Sequence, residues 1–296
     1  MRTVSFKRPA KRAGLYGVAA FFSFFAAAPI LWMIITAFKG DWDLYRSRGS
    51  PFLFNKYPTV GNEPSPVVDS PTLENLRLLF FETNFTTFLW NSLAVGVLVV
   101  VITLIIAIPA AYSLARLTGR WGERSGITIF LVYLIPPTLL FIPLFRIVVY
   151  LGLNDTLWSM VVVYPTLTIP FCTWLLSGFF KSIPKDLEEA AMVDGYSRLM
   201  AFLKVVMPLS LPGVIAVVVF TFSLTLHEFI YALTFVSSSA HRTVSVGVPT
   251  ELIRGDVFFW QSLVAAAAIV AIPVAIVYSF LLDRLVAGFT MGAVKG

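Results

Sequence analysis

Six stretches of this 296-residue chain are long, apolar and almost free of charge: Leu15–Phe38, Phe88–Leu114, Ile127–Phe145, Leu157–Phe180, Pro208–Phe235 and Ser262–Leu282. A helix rises about 1.5 Å per residue, so a hydrocarbon core of about 30 Å takes about 20 residues to cross. Each stretch meets or approaches that length. Nothing in hydrocarbon hydrates an N–H or a C=O, which leaves helices and closed barrels as the only crossing structures. The runs lack the period-two alternation of barrel strands. The expected fold is an all-α integral membrane protein of six transmembrane helices.

Composition points the same way. Charged residues make up 13% of the chain and mean hydropathy is +0.84, whereas a soluble domain carries about 25% charge. The polar groups are too few to cover a water-facing surface, which excludes a cytosolic enzyme, a nucleic-acid binder and a disordered chain. The net charge of +6 comes from residues lying between apolar runs and not along one stripe. The lipid bilayer is therefore the expected surrounding, with no nucleic acid. Cys172 is the single cysteine and His227 and His241 the only histidines, so neither an intrachain disulfide nor a metal site is expected.

Residues 1–14 are basic and precede the 24-residue run Leu15–Phe38. A signal-peptide core spans only about 7–15 residues, so a retained first span with a cytoplasmic N-terminal segment is expected. Counting segments alternately, one side of the membrane carries 14 of the 22 Lys and Arg and the other 8. The positive-inside bias places both termini in the cytoplasm. Residues 39–87 then form an extracytoplasmic loop or cap, or a tolerated insertion. The third span contains Pro136, Pro137 and Pro143, so it is expected to break where protein and not lipid surrounds it. The Tyr164-Pro165 pair reads as a kink that shapes a cavity. Trp42, Tyr45, Trp90, Trp158 and Trp260 fall near outer span ends as interfacial residues.

The stretch between the fourth and fifth spans, 181–208, holds the densest information. Ser182 as a cap, Pro184 in the first turn and Asp186, Glu188 and Glu189 near the positive dipole end predict a helix over Pro184–Asp194. Gly195 follows as a stop. A second amphipathic stretch, Arg198–Val206, leads to Pro208 and Pro212. A short helix with a compact Ala190–Ala191 face can press into a partner's groove and transmit motion. The alternative, a helix lying on lipid headgroups, fits less well, because such helices favour Lys and Arg with bulky apolar faces.

Glu189-Ala190-Ala191, then three residues to Gly195, nine to Val205, and one to Met207-Pro208 resembles the EAA loop of ABC-importer permease subunits. Val205 and Met207 are the only departures, and both are conservative. Asp194 before Gly195 and the ending Gly288–Gly296 are similar to MalG-type subunits of carbohydrate importers. So are Asn91-Ser92, Ala110-Ala111-Tyr112, Ala115-Arg116 and Glu228-Phe229. The resemblance covers about residues 15–296, which it makes one type I permease domain. It implies that Glu189, Ala190, Ala191, Asp194, Gly195, Val205, Met207 and Pro208 belong to a loop held by a cytoplasmic ATPase subunit. The tail Ala293, Val294, Lys295 and Gly296 would reach the interface of the ATPase dimer. The segment Thr250, Glu251, Arg254, Gly255 and Asp256 would face an extracytoplasmic solute-binding protein, and a distinct sister permease subunit would complete the membrane part in the inner membrane of a prokaryote.

No Walker A pattern G-x-x-x-x-G-K-[ST] occurs in the sequence. No cofactor is therefore expected in this chain, and ATP with Mg would sit in the partner ATPase. Energy would arrive through the loop and switch the spans between inward- and outward-facing states. His227 and Glu228 are ionisable residues within a span, where a charge costs about 2.5–3.5 kcal/mol at the bilayer centre. They are expected either to line the translocation path and bind sugar hydroxyls or to hydrogen-bond between spans. Competing readings are a secondary transporter, a membrane-embedded enzyme, and an ABC permease for a non-sugar solute such as glycerol phosphate or amino acids. The first usually has more spans or intramembrane coupling charges, and the second needs a catalytic constellation that this sequence lacks.

Overall fold

The computed structural model describes residues 7–40, 43–44, 52–56, 67–68 and 71–293. In chain order the elements are α1 (Lys7–Ala37), the strands β1 (Asn55–Lys56) and β2 (Val67–Val68), α2 (Glu74–Arg77), α3 (Phe85–Tyr112), α4 (Gly119–Tyr133), α5 (Pro137–Tyr150), α6 (Leu157–Ser182), α7 (Lys185–Val193), α8 (Arg198–Ala201), α9 (Leu211–His227), α10 (Ile230–Phe235), α11 (Val244–Leu252), the strands β3 (Ile253–Arg254) and β4 (Val257–Phe258), and α12 (Trp260–Ala293). Four helices are long and apolar enough to cross a membrane, or six spans if each of two bent pairs is one span. The third expected span is one such pair, α4 and α5, bent by 86°. Proline carries no N–H and its ring clashes with the preceding turn, so the break falls at Pro136-Pro137. In the other pair, residues 198–209 and 211–227 meet at 71°. The expected fifth span is thus bent at its start and is broken a second time between α9 and α10. Two pairs of two-residue strands are the only β-structure among the described residues.

The chain divides into two compact units, residues 1–83 with 251–272 and residues 84–250 with 273–296. In the first, Lys39 is buried, pairs with Asp43 at 3.1 Å and donates to the carbonyl of Leu53 at 2.8 Å. Asn75 Nδ2 donates to the carbonyls of Ala37 and Lys39, and Gln261 Nε2 donates to that of Gly40. The segment expected as an extracytoplasmic loop or cap, or as a tolerated insertion, is tied down where it leaves α1. β3 and β4 pair antiparallel around Gly255 and Asp256, with Gly255 at φ +61°, a conformation open to glycine without strain.

In the second unit α3 packs on α6, α9 on both, and α4 on α6. Thr103 on α3 and Thr168 on α6 share a buried hydrogen bond of 2.7 Å. A polar pair of this kind glues helices where the solvent is as apolar as leucine. Tyr164, expected at a kink, is a fully buried core residue beside Val95, Val99, Tyr231 and Phe235. Trp90, Trp158 and Trp260 are exposed, while Trp42 and Tyr45 lie outside the described residues. Asn91 Nδ2 donates to the carbonyls of Ala240 and Arg242, and the Ser92 hydroxyl accepts from Val244 N–H. These two polar residues thereby fix the entry to α11. In the turn before α6, Asp155 sits at φ +56° and its Oδ1 accepts from the N–H groups of Ser237 and Ser238. Those bonds, the Ser238 one foremost, hold its carboxyl below the usual value of 3.8. Its contribution to stability is complete above that value and is lost as pH falls through the lower folded pKa.

At Gly247 an added Cβ would stand 2.4 Å from the ring of Phe88, which is fully buried. Gly247→Ala is expected to destabilise the protein by about 1–3 kcal/mol, read as a lower melting temperature in detergent. Gly126→Ala, where a Cβ meets nothing within 4 Å, is expected to cost nothing. Asp155→Asn is expected to lower the melting temperature at neutral pH, with the difference from wild type shrinking as the carboxylate range is entered from above.

Candidate functional site

The loop between α6 and α9 is built by local rules that the sequence largely shows. α7 runs Lys185–Val193, with Pro184 at its N-cap and Asp186 and Glu188 in its first turn, where carboxylates meet the positive dipole end. Ser182, expected as the cap, instead returns its hydroxyl to the carbonyl of Phe179 at 2.8 Å. The extended Ile183 and Pro184 carry the chain out of line with α6 before α7 begins, out of the hydroxyl's reach. The helix closes as expected. Gly195 N–H bonds to the carbonyl of Met192 and Tyr196 N–H to that of Ala191, with Gly195 at φ +96°. This is the paired-bond termination that a left-handed glycine permits. Ser197 then caps α8 by accepting from Met200 N–H at 3.3 Å, a role the sequence reading missed although Ser before a helical run is the usual signal.

The surprise is Glu188. It is only 6% exposed and lies between Tyr112, whose hydroxyl donates to Oε1, and Arg116, whose Nε donates to Oε2 at 3.2 Å. Arg116 also gives Nη2–H to the carbonyl of Ile183 at 2.7 Å. Both charged side chains are almost wholly buried. A charge taken out of water costs several kcal/mol unless a partner and further hydrogen bonds satisfy it, and both conditions are met here. Beside this clamp the rings of Tyr112, Phe180 and Phe202 gather, with Tyr112 and Phe202 centred 4.4 Å apart. α7 and the turn after α8 are thus fastened to the ends of α3 and α6. Residues 113–117 and 202–206 are π-helical, the wide-turn form that often marks functional sites.

The loop residues singled out from sequence separate into two faces. Glu189, Ala190, Asp194, Gly195 and Pro208 are exposed, Val205 and Met207 are half-buried, and Ala191 is 7% exposed against its own chain. The expected Ala190–Ala191 face is therefore split, since consecutive residues stand about 100° apart around a helix of 3.6 residues per turn. Ala190 points out and Ala191 in.

The other expected site residues lie elsewhere. Glu228 occupies the break between α9 and α10, where Oε1 accepts from Tyr231 N–H and Oε2 from Ala232 N–H and the Tyr164 hydroxyl. Its backbone carbonyl accepts from Ser245 Oγ at 2.7 Å. It serves as the cap of α10, with its carboxylate oxygens used inside the chain. His227 ends α9 and is exposed, and its Nδ1 lies 2.7 Å from the carbonyl of Ser223. Thr250 donates to the carbonyls of Val246 and Gly247 within α11. Arg254, Gly255 and Asp256 form an exposed hairpin tip, and Arg254 Nε bonds to the carbonyl of Glu251. Ala293 is the last residue of α12, and Val294, Lys295 and Gly296 fall outside the described residues.

Membrane-length helices carrying a short helix clamped at one end define a transport permease of the ABC-importer type. The chain belongs to the family of binding-protein-dependent transport system inner membrane components, which matches residues 107–290. It is 36% identical over 285 residues to the sulfoquinovosyl glycerol transport system permease protein of Agrobacterium fabrum, covering 95% of this chain and 97% of that one. With the trehalose/maltose transport system permease protein of Thermococcus litoralis it shares 31% identity over 269 residues, covering 90% and 91%. In fold it resembles a chain of a bacterial ABC transporter involved in the import of the acidic polysaccharide alginate, with TM-score 0.70, 21% identity and coverage of 96% and 99%.

The clamp sets a double-mutant test. Arg116→Ala leaves the Glu188 carboxylate buried without its counter-charge and is expected to cost about 3–5 kcal/mol. The paired replacement Arg116→Met with Glu188→Leu is expected to recover most of that loss, read by thermal denaturation and by protease sensitivity of the 181–208 loop.

Proposed function

We propose that this chain is one of the permease subunits of an ATP-driven importer that moves a sugar or sugar-like solute into the cell across the cytoplasmic membrane of a prokaryote. The observation that carries the reading is the division of labour in α7. Glu188 and Ala191 fasten it to the bundle, while Glu189, Ala190, Asp194 and Gly195 are left outward. A rigidly mounted helix with an unused face suits a lever that another polypeptide grips. Closure of an ATPase dimer would move α7, and through the Arg116–Glu188 pair that movement would pass to α3, whose long axis runs through the bundle. The carrier of ATP and Mg is then the partner and this chain hydrolyses nothing itself.

The relatives named for sulfoquinovosyl glycerol and for trehalose and maltose support a carbohydrate as the cargo. In this reading residues 15–296 are one permease domain with both termini cytoplasmic. A sister permease completes the pathway, the tail Ala293–Gly296 approaches the ATPases, and the hairpin around Gly255-Asp256 meets the solute-binding protein. His227 and Glu228 belong to the wall of the path.

Cysteine cross-linking in the native complex tests the lever. Ala190→Cys is expected to capture a nucleotide-binding polypeptide and Ala191→Cys to capture none, and the same result at both positions would defeat the two-faced helix. Gly195→Val forces a β-branched residue to φ +96°, a conformation costing about 1–3 kcal/mol. Membrane insertion should survive while solute uptake falls about tenfold or more and ATP hydrolysis runs uncoupled from it.

A further inference from the structure

The end of α1 is capped from several directions within the first unit. The last carbonyls of a helix have no partner inside it and must be met from outside. Here Asn75 Nδ2 donates to those of Ala37 at 3.0 Å and Lys39 at 2.8 Å, and Thr72 N–H donates to that of Phe38 at 2.9 Å. Gln261 Nε2, from the first turn of α12, donates to that of Gly40 at 3.2 Å. Lys39 closes the same turn through Asp43 and the carbonyl of Leu53, with its cation at the negative end of the helix dipole. Residues 37–40 thus receive the start of α2 and the start of α12 on one mount.

Of these bonds the one from Gln261 is the least needed to satisfy its acceptor. Gly40 is exposed, and its carbonyl already accepts Asp43 N–H at 3.1 Å. Yet Gln261 is only 1% exposed, on the buried face of α12 with Ser262, Ala265 and Ala266. What the bond sets is position. Gln261 stands one residue into α12, and that helix start is continuous with the hairpin of β3 and β4. Phe259 N–H bonds to the carbonyl of Leu252 at 3.1 Å, and Leu263 N–H to that of Phe259 at 2.9 Å. The rings of Phe258 and Trp260 stack 5.4 Å apart and 6° from parallel. A chain of hydrogen bonds and ring contacts therefore joins Gly40, through Gln261, to the paired strands.

Resting on the importer reading above, we propose that Gln261 is a positioning residue for the solute-binding protein: it mounts the 253–258 hairpin on the end of α1 and so aims the exposed Gly255, Asp256 and Val257 at the incoming partner. A lone two-stranded hairpin is marginally stable in water, and strands of two residues give it little shape of their own. A loop aimed in advance loses less freedom when it is bound, so the mount is felt as affinity for the partner and not as turnover. Asn75 and Lys39 act at one remove, by holding the turn that receives Gln261.

The test uses the whole importer, captured through a tag on this chain and reconstituted in nanodiscs. ATP hydrolysis is titrated with its own cargo-loaded solute-binding protein. In a separate sample, spin labels on Leu73→Cys and Asp256→Cys, both exposed positions, report the distance from the start of α2 to the hairpin tip, and Cys172 is buried away from the label. Gln261→Met removes the donor at similar volume. It should broaden the distance distribution and raise the half-saturating concentration of the binding protein about tenfold, the effect of one lost hydrogen bond. The maximal rate should stay within about twofold of wild type, with the melting temperature nearly unchanged. Gln261→Glu, which keeps the shape and takes away both N–H groups, should do the same where Gln261→Met is too unstable to purify. Half-saturation that does not move, or a fall confined to the maximal rate, would overturn the positioning role and leave the importer standing. Hydrolysis that ignores the binding protein in the unsubstituted complex would overturn both.

Discussion

A buried arginine and a buried glutamate hold the loop between α6 and α9 to the rest of the molecule. Neither Arg116 nor Glu188 can be tolerated out of water alone, so each fixes the other, and with them the relation of α7 to α3. Everything that a short surface helix can do mechanically follows from that mutual need. A nine-residue helix is too short to be stable by itself in water. It holds its shape here because Tyr112, Arg116 and the carbonyl of Ile183 give it an anchored end and the glycine turn closes the other. The aromatic contacts of Phe202 with Tyr112 and Phe180 do the same for the return strand of the loop.

The same logic of satisfied groups governs the breaks. α10 has only six residues, and its first N–H groups are met by Glu228 from just before its start. The Pro136-Pro137 break is met in part by Ile135 N–H on the carbonyl of Val132, Leu139 N–H on that of Pro136 and the Tyr231 hydroxyl on that of Pro137. The chain therefore closes one interruption with its own carboxylate and the other with backbone N–H groups and a tyrosine hydroxyl.

How much of this was readable in advance depended on whether a residue's role was local. Span positions follow from the absence of charge, and the break from two adjacent prolines. The stop at Gly195 follows from the left-handed turn that glycine allows. Each is decided within a few residues. Glu188 was opaque because three carboxylates crowd α7, and only the fold tells which of them meets Arg116, 72 positions away. The i, i+3 spacing of Glu188 and Ala191 was the available sign of an inward face. Of the two roles open to Glu228, a bond between spans is the one its Tyr164 contact makes, while its capping of α10 rests on backbone groups that no sequence pattern displays. The hairpin 253–258 was signalled by Gly255-Asp256 between two residues that pair, yet strands of two residues leave almost no periodicity to detect.

The alternation of Ala190 and Ala191 has an evolutionary consequence. Under the proposed lever, adjacent identical residues answer to different constraints, Ala191 to the packing of its own bundle and Ala190 to the shape of a foreign groove. Substitutions on the outward side would then retune or exchange the motor without loosening the inward side, so a lineage of such permeases could swap engines while its membrane scaffold stays unchanged.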